Sequence, residues 1–126
     1  MPIIHIRSLP FKPELNTAGI LEAVSMEFSR ESGIKLKYVS AMWSYFEPGH
    51  YVESGQAALK QPWGDHPLQV ELVTPDIHQA LAIEKQLQIL AHAISRHSGM
   101  PLHNIFIEHR EVHSGHVFDN GSIIHW

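Results

Sequence analysis

The chain has 126 residues, a length that fits one compact domain spanning 1–126. Apolar residues make up 44% and charged residues 17%, a balance that excludes disordered, collagenous and coiled-coil proteins. The formal charge of −4, the scattered Lys and Arg residues and the lack of cysteine exclude phosphate-dominated nucleic-acid binding, disulfide scaffolds, thiolate metal centres and cysteine nucleophiles.

The first 47 residues predict a strand, a helix and a second strand. Apolar and polar residues alternate over Pro2–Arg7, as a half-buried strand requires. A helix follows, and Gly33 is expected to end it. The apolar face of this helix consists of Ile20, Leu21, Val24 and Phe28. The segment Leu36–Phe46 is rich in aromatic and branched residues and predicts a long second strand.

The residues from 67 onward predict the same order again. Leu68–Leu72 alternates as a third strand. Thr74 is the predicted N-cap of a second helix, with Pro75 at its first helical position. The apolar face of this helix consists of Ile83, Leu87, Leu90 and Ile94, and Gly99 ends it. Asn104–Val112 predicts the fourth strand, and 117–126 predicts a C-terminal hairpin that turns at Asp119-Asn120-Gly121.

The order strand, helix, strand thus occurs twice, at 1–47 and at 67–126, and predicts an α+β fold made of a tandem β-α-β repeat. Each unit has one apolar helical stripe to bury, so both helices are expected on one face of a four-stranded mixed sheet. The other face would then expose large side chains such as Tyr38, Met42 and Phe106. An exposed face of this kind predicts association between subunits.

The connection between the two units, 47–67, is too rich in Gly and Pro for a plain strand or helix. Connections of this length are often functional lids. The alternative, which we favour, is a surface insertion with a short helical piece around Gln56–Leu59.

Three segments carry a resemblance to a known family. Met1-Pro2 opens directly into a strand, 33–39 is G-I-K-L-K-Y-V, and 105–120 runs from I-F-I-E-H-R-E into H-V-F-D-N. Together with the doubled unit, they resemble the tautomerase superfamily, which includes 4-oxalocrotonate tautomerase, 5-carboxymethyl-2-hydroxymuconate isomerase and macrophage migration inhibitory factor. The last segment also resembles an uncharacterised bacterial branch of that superfamily.

The resemblance covers nearly the whole chain by architecture and carries several implications. It implies a homotrimer whose active site lies at the subunit boundary. It implies a small carbonyl or carboxylate substrate and no cofactor. It also implies catalysis by Pro2, whose nitrogen becomes free when the initiator Met is removed.

The chemistry of Pro2 supports this role. Proline alone has a secondary amine as its free N-terminus, and its rigid ring fixes the direction of the nitrogen. An α-amino group titrates at about 7.7 to 8.0, and burial beside cations moves the pKa further down. The neutral amine can take a proton from the carbon next to a carbonyl, or form an imine. With Met1 still attached, the nitrogen is an amide without a basic lone pair.

The resemblance further implies substrate-binding residues. Tyr38 falls on a pocket tyrosine, Phe106 on a pocket aromatic residue and Glu108 on a pocket amide residue. The pocket lysine of the migration inhibitory factor branch falls on Ile34, one position before Lys35.

Enolisation requires a cation, because a fixed positive donor stabilises the negative charge that develops on the substrate oxygen. Lys35 and Arg110 are the candidates, and the phase of the fourth strand sends Arg110 to the face of Phe106 and Glu108. Arg110 can equally pair with Glu108 or with a carboxylate on a neighbouring strand. Lys35 can equally be a solvated charge, and Tyr38 and Phe106 can be packing residues at a subunit contact.

Three histidines that are close in sequence, His109, His113 and His116, raise a metal site as a rival hypothesis. Their order lacks the helical H-E-x-x-H pattern, and on a strand His109 and His113 lie about 13 Å apart, too far to bind one ion. We therefore expect no metal. No G-x-G-x-x-G or phosphate-binding Gly-Lys-Ser/Thr loop occurs, so no nucleotide cofactor is expected.

The sequence therefore predicts a homotrimeric tautomerase in which Pro2 is the general base in keto–enol isomerisation of a small 2-oxo or 2-hydroxy-enoic acid. Lys35 or Arg110 would bind the carboxylate or enolate. A cytoplasmic location without membrane association is expected, because the chain has no cysteine, no targeting pattern and no apolar run of spanning length. The alternative is a trimeric module of the same fold that binds a partner without chemistry.

Overall fold

The computed structural model describes residues 1–61 and 66–126. The strands and α-helices in these ranges are β1 (Ile3–Ser8), α1 (Thr17–Ser32), β2 (Ser40–Tyr45), β3 (Val52–Glu53), β4 (Gln56–Ala57), β5 (Leu68–Pro75), α2 (Ala80–Ser98), β6 (Ile105–Val112), β7 (Val117–Asp119) and β8 (Ser122–Ile124). Short 3₁₀ helices, Leu36–Tyr38 and Leu102–Asn104, precede β2 and β6. No helix in the described ranges is long and apolar enough to cross a bilayer.

Four strands form one mixed sheet in the order β2-β1-β5-β6. β1 runs parallel to β2 and antiparallel to β5, and β5 runs parallel to β6. Each β-α-β unit therefore contributes one parallel pair, and the two units meet at the antiparallel pair β1–β5. The predicted tandem repeat and mixed sheet are confirmed.

Both helices cover the same face of this sheet, and the core lies between them. Alternate residues of β1 and β5, such as Ile4 and Leu72, are fully buried there. The helices contribute Val24, Phe28, Leu90 and Ile94 to the same cluster. Burying a side chain of this size contributes about 1.5 to 3 kcal/mol, so this layer supplies much of the stability. Both helices end as predicted, at Gly33 and Gly99 in the left-handed conformation.

The opposite side of the sheet, which we call the open face, carries Ile3, His5 and Arg7 of β1 and has no covering layer among the described residues. Met42 on β2 is 45% exposed and Phe106 on β6 is 51% exposed. Their place follows from alternation, because successive side chains of a strand point to opposite faces. The predicted exposure of large side chains on this face is confirmed for Met42 and Phe106. Tyr38 is also exposed, but it lies in the 3₁₀ turn before β2 and not on a strand of this face.

The start of α2 differs from the prediction. Thr74 and Pro75 belong to β5, and α2 begins after Gln79, whose side chain makes no capping bond. Thr74 is buried, and its hydroxyl lies 2.7 Å from Nε2 of His109 on β6. The hydroxyl therefore satisfies a polar group of the sheet and is not a helix cap. Pro75 has no N–H, which is tolerated at the end of a strand.

The second strand is shorter than predicted. The 3₁₀ turn Leu36–Tyr38 takes up its first part, and β2 begins at Ser40. Pairing with β1 starts there, where Ser40 lies opposite Ile3. Residues before Ser40 have no strand beside them, so they turn toward α1.

The connection 47–67 contains a small hairpin where a short helical piece was expected. β3 and β4 pair around Ser54 and Gly55, which both have positive φ, as the two-residue turns that match strand twist require. Tyr51 and Ala58 are buried with Leu9, just after β1. Residues 62–65 of this connection lie outside the described residues.

Candidate functional site

One end of the sheet gathers the starts of β1 and β2 and the ends of β5 and β6, because β5 and β6 run opposite to the other two strands. Pro2 lies at this end, immediately before β1. Its ring is fully buried, and its carbonyl accepts a hydrogen bond from the Ser40 N–H at 3.1 Å. We call this end of the sheet the Pro2 end.

The turn into β2 brings two candidate substrate-binding residues to the Pro2 end. Lys35 and Tyr38 bracket this turn, and the Tyr38 N–H donates to the Lys35 carbonyl at 3.0 Å. Both side chains are exposed. Nζ of Lys37 lies 5.0 Å from the centroid of the Tyr38 ring, a distance that favours a cation–π contact. A solute at this end can therefore meet a phenol and two ammonium groups.

Phe106 and Glu108 lie elsewhere in the same chain. Phe106 pairs with Gln69, which pairs with Arg7, so it lies four residues along the strand from the row of Ile3, or about 13 Å. These residues line a cavity of about 40 Å³ on the open face, room for little more than water. Glu108 pairs with Glu71, which pairs with His5, so it lies two strands across from β1 and three residues along from the row of Pro2, each about 10 Å. One chain therefore does not bring Phe106 and Glu108 to Pro2.

Arg110 stands nearer to the Pro2 end, but it is already paired. It lies in the row of Val73 and Ile3, and its guanidinium forms a hydrogen-bonded ion pair with Glu71 on β5. The sequence left Arg110 either as a substrate-binding cation or as a member of an ion pair. The structure has the ion pair, and its carboxylate comes from a neighbouring strand. Lys35 has no such partner among the described residues.

His5 forms a polar contact on the open face that sequence reasoning missed. Its Nε2 lies 2.8 Å from Oγ of Ser44, and Nε of Arg7 donates to its Nδ1 at 3.4 Å. Burial, and then the charge of Arg7, lowers the pKa of His5. The imidazole is therefore neutral at pH 7. Alternation along β1 places His5 on this face, but its partners come from strand pairing.

Asp76 and His113 form a second missed contact, beyond the ends of β5 and β6. Oδ2 of Asp76 lies 2.8 Å from Nδ1 of His113, and Nε1 of Trp126 donates to Oδ1 of Asp76 at 2.7 Å. The parallel pairing of β5 with β6, which aligns Pro75 with Val112, sets the next residues side by side. The only signal in the sequence was the predicted pairing of these two strands.

The three clustered histidines have separate environments. His109 bonds to Thr74 on the helix side of the sheet, whereas His113 bonds to Asp76. The rings of His113 and His116 are 5.6 Å apart and perpendicular. In residues 1–61 and 66–126 no group of three or more His, Asp or Glu side chains is arranged to hold a metal ion.

Comparison with protein-family models finds no match, and comparison with curated proteins finds none either. Solved structures do match over nearly the full chain. Pt0534 inactivated by 2-oxo-3-pentynoate superposes with a TM-score of 0.79 at 16% identity, over 97% of this chain and 94% of its own. A fused 4-OT described as a symmetric trimer gives 0.79 at 14% identity, over 98% and 95%.

A macrophage migration inhibitory factor homologue from Prochlorococcus marinus gives a TM-score of 0.74 at 21% identity, over 98% of this chain and 99% of its own. Each of these matches covers nearly the full length of both chains, so the likeness concerns the whole fold and not one motif. The fold that the sequence resemblance implied is thereby confirmed: the chain has the fold of the tautomerase superfamily.

Proposed function

We propose that this chain, once Met1 is removed, is a tautomerase that uses the Pro2 amine for keto–enol proton transfer on a small 2-oxo or 2-hydroxy-enoic acid. The observation that carries the proposal is the position of Pro2. It directly follows Met1 and directly precedes a central strand in a fold that matches tautomerases over nearly the full chain. A ring buried at a strand start holds the nitrogen in one direction, as a catalytic base requires.

The rest of the pocket would come from two chains of a homotrimer. Lys35 and Tyr38 would serve the Pro2 of their own chain, since all three lie at the same end of the sheet. Phe106 and Glu108 would serve the Pro2 of a neighbour, since they are too far from their own. The description of a fused 4-OT as a trimer supports this assembly.

Lys35 is the better candidate for the substrate-binding cation. The ion pair with Glu71 occupies Arg110, and Glu71 is largely buried, with 16% of its side chain exposed. Moving Arg110 toward a substrate would leave this carboxylate without its hydrogen-bond partner, which is unfavourable in free energy for a buried charged group. Lys35 is exposed and can approach a carboxylate or enolate without breaking such a contact.

The proposal can be tested by labelling. We expect 2-oxo-3-pentynoate, the inactivator of Pt0534, to attach covalently to the Pro2 nitrogen, because a neutral amine adds to an alkyne conjugated with a carbonyl. Intact mass spectrometry followed by peptide mapping locates the adduct. The parent chain should also exchange the C3 protons of phenylpyruvate for deuterium.

The matched variant is Pro2→Ala, which keeps a free amine but makes it primary and removes the ring. We expect exchange to fall at least tenfold. Equal rates in Pro2→Ala and the parent, or an adduct at another residue only, would contradict the proposal.

The non-catalytic alternative has one observation in its favour, the engagement of Arg110 with Glu71. It requires that Pro2 stay acylated or inert. The intact mass of the purified protein separates the two hypotheses, because a chain that keeps Met1 has no basic nitrogen at Pro2. For the trimmed enzyme, the cytoplasm is the expected compartment.

A further inference from the structure

A cavity that the proposed function does not use lies at the end of the sheet opposite the Pro2 end. It is enclosed by the segment that follows β1 and by the connection between the two β-α-β units. The length of β1, about 17 Å, separates the two ends. The cavity has a volume of about 640 Å³, which lies within the range of about 300 to 1,000 Å³ that is typical of small-molecule sites.

The lining of this cavity is mainly apolar and carries two cations. Lys12 and Lys60 are exposed, and no acidic residue is among the described residues that line the cavity. Leu59 is 67% exposed, and contact of a large apolar side chain with water is unfavourable. The apolar wall consists of Pro10, Pro48, Ala57, Ala58 and Leu59. A complementary ligand therefore covers apolar surface and carries negative charge.

Backbone pairing between two segments positions both lysines. Phe11 and Gln61 form a parallel bridge. The Gln61 N–H donates to the Pro10 carbonyl at 2.7 Å, and the Lys12 N–H donates to the Gln61 carbonyl at 3.1 Å. Phe11 and Gln61 are buried, and successive side chains of extended segments point to opposite sides. Lys12 and Lys60 therefore both point away from the core, on the side of the cavity.

The same pairing sets the separation of the two lysines. Lys60 lies opposite Pro10, so Lys12 is two residues along and one strand across, or about 8 Å between the Cα atoms. Each ammonium group stands on a flexible four-carbon stem. One carboxylate can therefore contact both ammonium groups.

A buried amide holds the lining segments in place. The side chain of Gln61 is fully buried. Its Oε1 accepts from the Leu9 N–H at 3.0 Å, and its Nε2 donates to the His66 carbonyl at 2.9 Å. The Gly49 N–H donates to the Ala58 carbonyl at 3.1 Å and ties the remaining lining segments together. A ligand thus meets walls that are already ordered, which lowers the entropy cost of binding.

We infer that this cavity is a second binding site, which takes a small carboxylate with an apolar body. The carboxylate lies between the ammonium groups of Lys12 and Lys60 and accepts charge-assisted hydrogen bonds from them. The apolar body covers Leu59 and the prolines of the wall. Binding here requires neither a free Pro2 nitrogen nor catalysis, so the inference goes beyond the proposed function and does not depend on it.

Titration calorimetry of the parent chain with octanoate tests the inference. Octanoate combines a carboxylate with an unbranched apolar chain. We expect one octanoate to bind per chain with a Kd of about 1 mM or tighter, which a ligand of this size can reach. Acetate lacks the apolar chain and octylamine has a positive head, so both should bind at least about tenfold more weakly.

Variants of the lining locate the binding energy. Lys12→Gln/Lys60→Gln should weaken octanoate binding about tenfold, and Leu59→Ser should weaken it about threefold. Lys85→Gln is the matched control, because Lys85 is an exposed lysine on α2 outside this cavity. Its Kd should equal that of the parent. All four substituted side chains are exposed, so the thermal midpoints should stay close to that of the parent.

Two further measurements separate this site from the Pro2 end. In the NMR spectrum of the parent, octanoate should shift the amide signals of Ala58, Leu59 and Lys60 and leave those of Lys35 and Tyr38 in place. Pro2→Ala and Lys35→Gln should bind octanoate as tightly as the parent.

A parent that binds no octanoate, or binds it no better than acetate, overturns the inference. So does a Kd for Lys12→Gln/Lys60→Gln within twofold of the parent. Loss of octanoate binding in Pro2→Ala or Lys35→Gln overturns it as well, because the ligand then lies at the Pro2 end. Failure of the proposed function looks different: labelling and proton exchange at Pro2 are absent, while octanoate still binds and still depends on Lys12 and Lys60.

Discussion

The same residue types have different roles here according to their strand neighbours, and Thr74 is the clearest example. Its sequence context, Thr-Pro-Asp before an apolar periodic segment, is typical of a helix start. In the fold it is buried in β5 and bonded to His109. The competing hydrogen bond comes from a residue 35 positions away, which local pattern does not reveal.

Thr74→Val tests this assignment. Valine keeps the shape and the strand preference but removes the hydroxyl, which leaves Nε2 of the half-buried His109 without its partner. We expect the free energy of unfolding to fall by about 1 kcal/mol, the usual contribution of one such hydrogen bond. Urea unfolding gives the value. An unchanged or higher stability for Thr74→Val would contradict the sheet role.

At the scale of elements, one buried carboxylate joins the two helices. Glu27 of α1 lies 2.6 Å from Nη1 of Arg96 and 3.0 Å from Nε2 of His97, both on α2. Burial acts to raise the pKa of the Glu27 carboxyl, but the hydrogen bonds from Arg96 and His97 outweigh it, and the pKa lies below its ordinary value of 4.5. Sequence periodicity predicted both helices but not this contact between them.

Glu27→Gln should therefore destabilise the protein at neutral pH. The folded pKa is depressed, so the contribution of the carboxylate is complete above its unfolded pKa and is lost as pH falls through the folded pKa. We expect a loss of about 2 kcal/mol at pH 7, which shrinks as pH falls below 4.5. Thermal or urea unfolding at several pH values measures it.

Glu31→Gln is the matched control, since Glu31 pairs with Arg30 on the surface, where both side chains are more than half exposed. Such pairs contribute little, and its stability should follow the parent at every pH. A Glu27→Gln penalty that stays constant down to the acid range would contradict the assigned linkage.

At the scale of the whole molecule, the open face is the largest feature that one chain leaves unsatisfied. Met42 and Phe106 are exposed on this face, which also carries Ile3 and Val73 and has no covering layer among the described residues. Water contact with so many apolar groups is unfavourable, which favours assembly. The proposed homotrimer would cover this face and also bring Phe106 toward a neighbouring Pro2.

Phe106→Asp should break the assembly, because a charge at a buried contact has no partner there. We expect light scattering to give three times the chain mass of 14.3 kDa for the parent and a smaller species for the variant. Leu81→Asp is the control, a leucine that is 79% exposed on α2. A variant that assembles like the parent would place the contact elsewhere, and a monomeric parent would remove the homotrimer.

The sequence by itself determined the two helices, the four sheet strands and the terminal hairpin. Apolar periods of two and of three to four residues are local signals, and so are the glycines at both helix ends and Asn120-Gly121 in the last turn. The same alternation placed Phe106, Glu108 and Arg110 on one face. The resemblance supplied Pro2, which remains a prediction until it is labelled.

Only the tertiary structure decided which of these side chains meet. The pairing of β5 with β1 and β6 separated Phe106 and Glu108 from Pro2, gave Arg110 to Glu71, and set Asp76 beside His113. The pairing register of the strands is fixed by the joint burial of whole strands and helices. A shift of one residue in a strand would move all its side chains to the opposite face of the sheet. No local pattern contains that information, because each contact joins residues that lie far apart in the chain.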